Sequence, residues 1–123
     1  MHVPTMVVDD QADIRFLLRV LIEKANHGLV VVAEASNAAE ALERAAETEP
    51  LVVVLDEMMP GMNGIEAAGH FRERDPKQVI ILCSAYLDDE LIERAREAGV
   101  VHCLSKDRVG DLPDLIRQAV GIA

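Results

Sequence analysis

Aromatic residues are almost missing from this 123-residue chain: Phe16, Phe71 and Tyr86 are present and tryptophan is not. Half of the residues are hydrophobic, so the core must be aliphatic, built from Val, Leu, Ile, Ala and Met. The length suits one domain, 1–123, with a core of its own. Positive charge is also scarce, with 12 basic residues against 22 acidic ones and a net charge of −10. With no basic stripe, that balance argues against direct nucleic acid binding and against docking on anionic membranes. No stretch approaches the ~20 apolar residues of a spanning helix. Met1-His2-Val3-Pro4 lacks the basic and apolar regions of a secretory signal. Cys83 and Cys103 are the only cysteines, and neither has metal-like spacing with the other or with a histidine. They read as free thiols of a cytoplasmic chain, and a disulfide between them is disfavoured. His27, His70 and His102 share no ligand spacing and read as surface or structural residues.

What the chain does have is a series of short apolar runs, each ending at a polar side chain. The central one is Leu51-Val52-Val53-Val54-Leu55, which stops at Asp56. A run so short and so uniformly apolar reads as a strand buried on both faces, as in parallel sheets. Pro60, Gly61 and Gly64 then impose a loop, and Asn63 with Glu66 forms a capping-box pattern for the next helix. Met58, Met59 and Met62 in this loop read as packing residues.

The other runs repeat the arrangement. Thr5–Val8 leads to Asp9-Asp10, and a helix follows over Ala12–Ala25. Its buried stripe is expected to be Ile14, Leu17, Leu18, Leu21 and Ala25, with Arg15, Arg19, Glu23 and Lys24 on the solvated side. Asn26-His27-Gly28 stops it. Leu29–Ala33 is the second strand, and Asn37 with Glu40 opens an alanine-rich helix as a second capping box. Glu43, Glu47 and Glu49 make its solvated flank. Val79–Leu82 ends at Cys83-Ser84-Ala85, and Asp88 caps a helix that Gly99 terminates. Val100–Leu104 leads to Ser105-Lys106-Asp107, and a last helix starts near Leu112 with Pro113 in its first turn. Strand-helix units in succession specify an α/β fold, and helices on both faces of a parallel sheet require one reversal of winding, where ligands gather.

The carboxyl ends of parallel strands share one edge, which here receives Asp9, Asp10, Asp56, Ser84 and Lys106. Two unit charges ~4 Å apart repel by roughly 4 kcal/mol at an effective dielectric near 20. Three carboxylates therefore call for more cation than Lys106 supplies, and Mg2+ with water completing its shell answers that need. Each residue also has an ordinary reading. Asp10 could be an N-cap, Ser84 a hydroxyl satisfied by backbone, and Lys106 a solvated lysine.

The four motifs together change the balance. Val7-Val8-Asp9-Asp10, Leu55-Asp56 with Met59-Pro60-Gly61-Met62-Asn63-Gly64, Ser84-Ala85 and Lys106 resemble the response-regulator receiver domain family over essentially the whole chain. The resemblance implies a doubly wound, five-stranded parallel sheet of flavodoxin-like strand order 2-1-3-4-5 with five helices. It implies a signalling domain of a two-component system rather than an enzyme. Asp56 matches the phosphoacceptor, which takes its phosphoryl group from a sensor histidine kinase or a phosphotransfer protein. Asp10, Asp56 and the backbone carbonyl of Met58 match the Mg2+ ligands, with Asp9 acting through a water. Ser84 and Lys106 match the pair that contacts the phosphoryl oxygens. A kinase should dock near the first helix. An output partner or a second copy should use the helix 4–strand 5–helix 5 face.

Two positions depart from the family pattern. The aromatic residue usual three positions before the lysine is replaced by Cys103, beside His102, which puts the usual aromatic part of the switch in question and leaves Tyr86 and Cys103 as the candidate relay residues. Lys106-Asp107 stands where many relatives have Lys-Pro, which favours the common trans peptide there. Lys-Asp resembles receivers that precede a helix-turn-helix output domain, and the sequence fits both a free-standing receiver and a piece of a longer regulator. Two rival functions are a metal-dependent phosphohydrolase with Asp56 as nucleophile and a pseudo-receiver that only docks partners. The hydrolase wants a second acid two residues past the nucleophile, where Met58 stands, and the intact site set argues against the pseudo-receiver.

Overall fold

A computed structural model describes residues 2–122. Its elements alternate along the chain: β1 (Val3–Val8), α1 (Ala12–Lys24), β2 (Leu29–Ala35), α2 (Ala38–Thr48), β3 (Val52–Asp56), α3 (Gly64–Arg74), β4 (Val79–Ser84), α4 (Asp89–Glu97), β5 (His102–Ser105) and α5 (Leu112–Val120). A 3-10 turn over Lys106–Asp111 joins the last strand to the last helix. The strands form one parallel sheet in the order β2-β1-β3-β4-β5. No described peptide bond is cis, so Lys106–Asp107 is trans. Among the described residues no helix is long and apolar enough to cross a membrane.

Side-chain alternation divides the buried residues into two cores. Met6, Val53, Leu55, Ile80 and Leu82 pack with alanines of α2, Ala67, Ala68 and Phe71 of α3, and Ala95 of α4. Val7, Val52, Val54, Ile81 and Cys83 pack with Leu18 and Ile22 of α1 and with Leu112 and Ile116 of α5. Every β3 residue is buried, as expected of a central parallel strand covered on both faces. Cys83 belongs to the second core and Cys103 packs against the first, so the sheet separates the two thiols. Burial pushes the Cys83 thiol up to about 12 and also raises Cys103.

Several local expectations are corrected. The buried stripe of α1 is rotated: Leu18 and Ile22 are its fully buried residues, whereas Leu17 is exposed together with Phe16 and Val20. Apolar residues occupy more than half of this helix's circumference, so only the tertiary fit selects the stripe within that arc. Arg15 and Arg19 are not simply solvated. Arg15 donates to the Asp9 carbonyl at 2.7 Å, and both arginines pair with Glu34 of β2. Asn37 caps α2 by accepting from the Glu40 amide, but the Glu40 carboxylate reaches the Ser36 amide rather than closing a box on Asn37. Asn63 and Glu66 do form the reciprocal box. Met59 is buried and Met62 packs on the first core, whereas Met58 projects into solvent at 68% exposure.

Candidate functional site

The sheet order reverses between β1 and β3, and the carboxyl ends of these two strands carry Asp9 and Asp56. Asp9 directly follows β1, and Asp56 is the last residue of β3. Both are buried, while Asp10 is exposed. One carboxylate oxygen from each of Asp9, Asp10 and Asp56 lies within 4.8 Å of the others. Lys106, just past β5, places Nζ 3.1 Å from Asp9 Oδ2 and 2.9 Å from Asp56 Oδ1. Asp9 also accepts from the Gln11 amide at 2.9 Å, and Asp56 accepts a longer bond from the Met58 amide at 3.4 Å.

These contacts bear on the ordinary readings of Asp10 and Lys106. The N-cap of α1 is Gln11, not Asp10, so Asp10 is not spent on capping. The side chain of Lys106 is only 22% exposed and stands between two buried carboxylates, unlike a solvated lysine. Burial drives the Asp56 carboxyl up to about 6; Lys106 and the Met58 amide pull it down, while the neighbouring Asp9 pushes it up. Burial alone would lower the Lys106 ammonium, but Asp56 and Asp9 outweigh it and raise it. One cation thus serves two buried acids and leaves a negative excess.

A hard cation fits this donor set. The cluster is made of carboxylate oxygens, the donors that Mg2+ prefers. Asp9 Oδ2 is buried, and its partner among the described residues is the Lys106 ammonium at 3.1 Å, which Asp56 shares.

Two glycines shape the loop after β3. Gly61 adopts φ +82, a backbone conformation that favours glycine. At Gly64 a Cβ would sit 2.5 Å from the Asp56 carbonyl oxygen and 2.7 Å from Leu82 Cδ1. The start of α3 therefore presses directly on the end of β3, and its Gly64 amide donates to the Glu57 carbonyl at 2.9 Å.

The family model for the response regulator receiver domain matches residues 5–117. This chain belongs to that family. Among curated relatives of the receiver, the chemotaxis protein CheY of Thermotoga maritima is 40% identical over 94 residues, covering 76% of this chain and 77% of that protein. The protein-glutamate methylesterase/protein-glutamine glutaminase of Natronomonas pharaonis is 39% identical over 106 residues, covering 85% of this chain but only 29% of that enzyme. Among solved structures, a LuxR-family two-component response regulator from Aurantimonas is similar with a TM-score of 0.92 at 34% identity, covering 99% of this chain and 88% of that one.

Within this receiver domain, Ser84 is placed differently from the acids. Its hydroxyl lies 3.0 Å from Glu57 Oε1 and 2.8 Å from the Tyr86 carbonyl, and it accepts from the Tyr86 amide at 3.2 Å. Strand alternation explains the split. Asp9, Asp56 and Lys106 have the parity of residues that face α1 and α5, while Ser84 and Glu57 have the parity of those that face α2, α3 and α4. The pairing Asp56↔Cys83 makes Glu57 and Ser84 the next cross-strand neighbours. Glu57 was missed in the sequence because that contact depends on the β3–β4 register. Tyr86 is 75% exposed and Cys103 is half-buried at the far side of β5. Both lie near the surface formed by α4 and β5, and Cys103 shares a small 80 Å³ cavity with Ile92 and Arg96 of α4.

Proposed function

We propose that this receiver takes a phosphoryl group onto Asp56 from a phosphohistidine of a sensor kinase or phosphotransfer protein. The observation that carries the reading is a buried Asp56 carboxylate 2.9 Å from Lys106 Nζ, at a rim shared with Asp9 and Asp10. An Asp56 oxygen attacks phosphorus, the P–N bond breaks, and its electron pair returns to the imidazole of the donor. The product is an acyl phosphate on Asp56. Lys106 pairs the phosphoryl oxygens while the Asp56 carboxylate loses its charge in the new acyl phosphate. Asp9, Asp10, Asp56 and the Met58 carbonyl would hold Mg2+, which when bound neutralises charge between nucleophile and phosphoryl group. Ser84 supplies a hydroxyl to a phosphoryl oxygen, and its movement, with that of the loop carrying Tyr86, biases the α4–β5–α5 face between two arrangements.

Incubation with a small-molecule phosphodonor and Mg2+ tests this. The protein should gain the mass of one phosphoryl group, and Asp56→Asn should not. Equal labelling of that variant would refute the assignment.

The same reading makes the domain a switch rather than an enzyme acting on external substrate, and its setting the cytoplasm, where two-component kinases present their phosphohistidine. It disfavours the hydrolase, because Met58 supplies no acid and Glu57 is turned to Ser84. Its partners are a phosphohistidine protein near α1, where Phe16, Leu17 and Val20 are exposed, and an output partner or second copy on α4–β5–α5.

A further inference from the structure

Ser84 has one proton and two acceptors within reach, Glu57 Oε1 at 3.0 Å and the Tyr86 carbonyl at 2.8 Å. A carboxylate and a hydroxyl oxygen that close repel unless the proton lies between them, and a charge-assisted bond is the stronger of the two choices. The bond is part-buried: Ser84 is 1% exposed and Glu57 is half-buried. Among the described residues its hydroxyl bonds to Glu57 and Tyr86, not to Asp56.

We propose that Glu57 is a positioning residue that competes with the phosphoryl group for the Ser84 proton and so holds the receiver in its unphosphorylated arrangement. This rests on the reading of Asp56 as phosphoacceptor. For Ser84 to donate to a phosphoryl oxygen on Asp56, its bond to Glu57 must break, because a hydroxyl cannot donate twice. Glu57 then needs somewhere to go. A cavity of about 370 Å³ opens beside it, lined by Ser84, Tyr86, Asp88, Glu90 and Arg94. Arg94 is the one base among its lining residues, so a released Glu57 carboxylate has a cationic partner across that space and acidic neighbours that push it outward. The phosphoryl oxygens carry more charge than one carboxylate, so they win the proton once the transfer has occurred, and Glu57 lowers the margin by which they win.

The test is the affinity of beryllofluoride, a phosphoryl mimic that binds a carboxylate, measured by calorimetry at saturating Mg2+. Wild type, Glu57→Leu, Glu57→Gln, Ser84→Ala and both Glu57/Ser84 double variants are compared. Glu57→Leu should bind roughly tenfold tighter than wild type, the scale of one charge-assisted hydrogen bond, with Glu57→Gln in between. In the Ser84→Ala background neither change at Glu57 should alter affinity more than about twofold. An equal gain with and without Ser84 would mean that Glu57 acts only as a nearby negative charge, and the proposal would fall. No gain in either Glu57 variant would also overturn it, and Glu57→Gln covers the case in which leucine disturbs the fold. Failure of the underlying reading looks different: wild type itself would bind no beryllofluoride and would gain no phosphoryl mass.

Discussion

Lys106 Nζ lies 2.9 Å from Asp56 Oδ1, and this ion pair crosses from the end of β5 to the end of β3. It is the link that lets two acids remain buried at one rim. Removing one member of a buried pair costs more than the pair contributes, because the partner charge stays behind in a poorly hydrated place.

Lys106→Met therefore strands Asp9 and Asp56 without a cation. In chelator at pH 8 the variant should lose about 2 kcal/mol in urea unfolding, less than for a fully enclosed pair because the lysine is partly solvated. The Asp56 carboxyl should titrate higher than in wild type. A variant as stable as wild type under these conditions would show that the lysine does not hold the acids in place.

Asp56 gives the opposite sign. Its carboxyl stands at about 6 in the folded protein, raised chiefly by burial, against an ordinary value near 4. Below about pH 4 it is protonated whether folded or unfolded and contributes nothing. As pH rises from there to about 6 the unfolded chain ionises first, so stability is lost, and above that the deficit is constant. Asp56→Asn in chelator should match wild type near pH 4 and exceed it by about 2 kcal/mol from pH 7 upward. Subtracting the two curves cancels the other titrating groups. A variant less stable than wild type at pH 8 would mean that the carboxylates do not crowd.

Two glycines of α3 form a matched comparison. At Gly64 a Cβ would lie 2.5 Å from the Asp56 carbonyl oxygen and 2.9 Å from Glu57 Cα, so backbone must shift. Gly64→Ala should cost about 2 kcal/mol and weaken Mg2+ binding, since the displaced strand end carries Asp56. Gly69 has nothing within 4 Å of its added Cβ, and Gly69→Ala should stabilise by about 0.5 to 1 kcal/mol through helix propensity alone. Thermal melts with and without Mg2+ read both effects.

The order of elements was legible because each apolar run ends at a polar or turn-forming residue and three of the helices open on a side-chain cap, at Asn37, Asn63 and Asp88. Asp9, Asp10, Asp56 and Lys106 could be gathered because a parallel sheet brings all its carboxyl ends to one edge. What stayed hidden depended on pairing between distant residues. The face of α1 could not be chosen from Leu17, Leu18, Val20, Leu21 and Ile22, which form an apolar arc wider than half of the helix. The engagement of Ser84 by Glu57 needs both the Asp56↔Cys83 register and the parity of two strands. Arg15 looked solvated because its partners, Glu34 and the Asp9 carbonyl, lie on β2 and at the end of β1.

Asp9 and Asp10 are adjacent in sequence but do different structural work, which separates metal binding from folding. Asp9 is 1% exposed and accepts the Gln11 amide that begins α1, whereas Asp10 is exposed. Asp10→Asn should therefore leave stability in chelator within about 0.5 kcal/mol of wild type. Wild type should gain about 2.7 kcal/mol when Mg2+ is raised to 100 times its dissociation constant, the linkage expected of one site that forms only in the folded chain. At the same Mg2+ concentration Asp10→Asn should gain far less, because a ligand carboxylate has become a neutral amide. Asp9→Ala should fail on both counts, losing the acceptor for the Gln11 amide and with it stability in chelator, as well as the Mg2+ increment. If Asp10→Asn kept the full increment, the ion would have to be held elsewhere, and the carboxylate cluster at the β1 and β3 ends would not be its site.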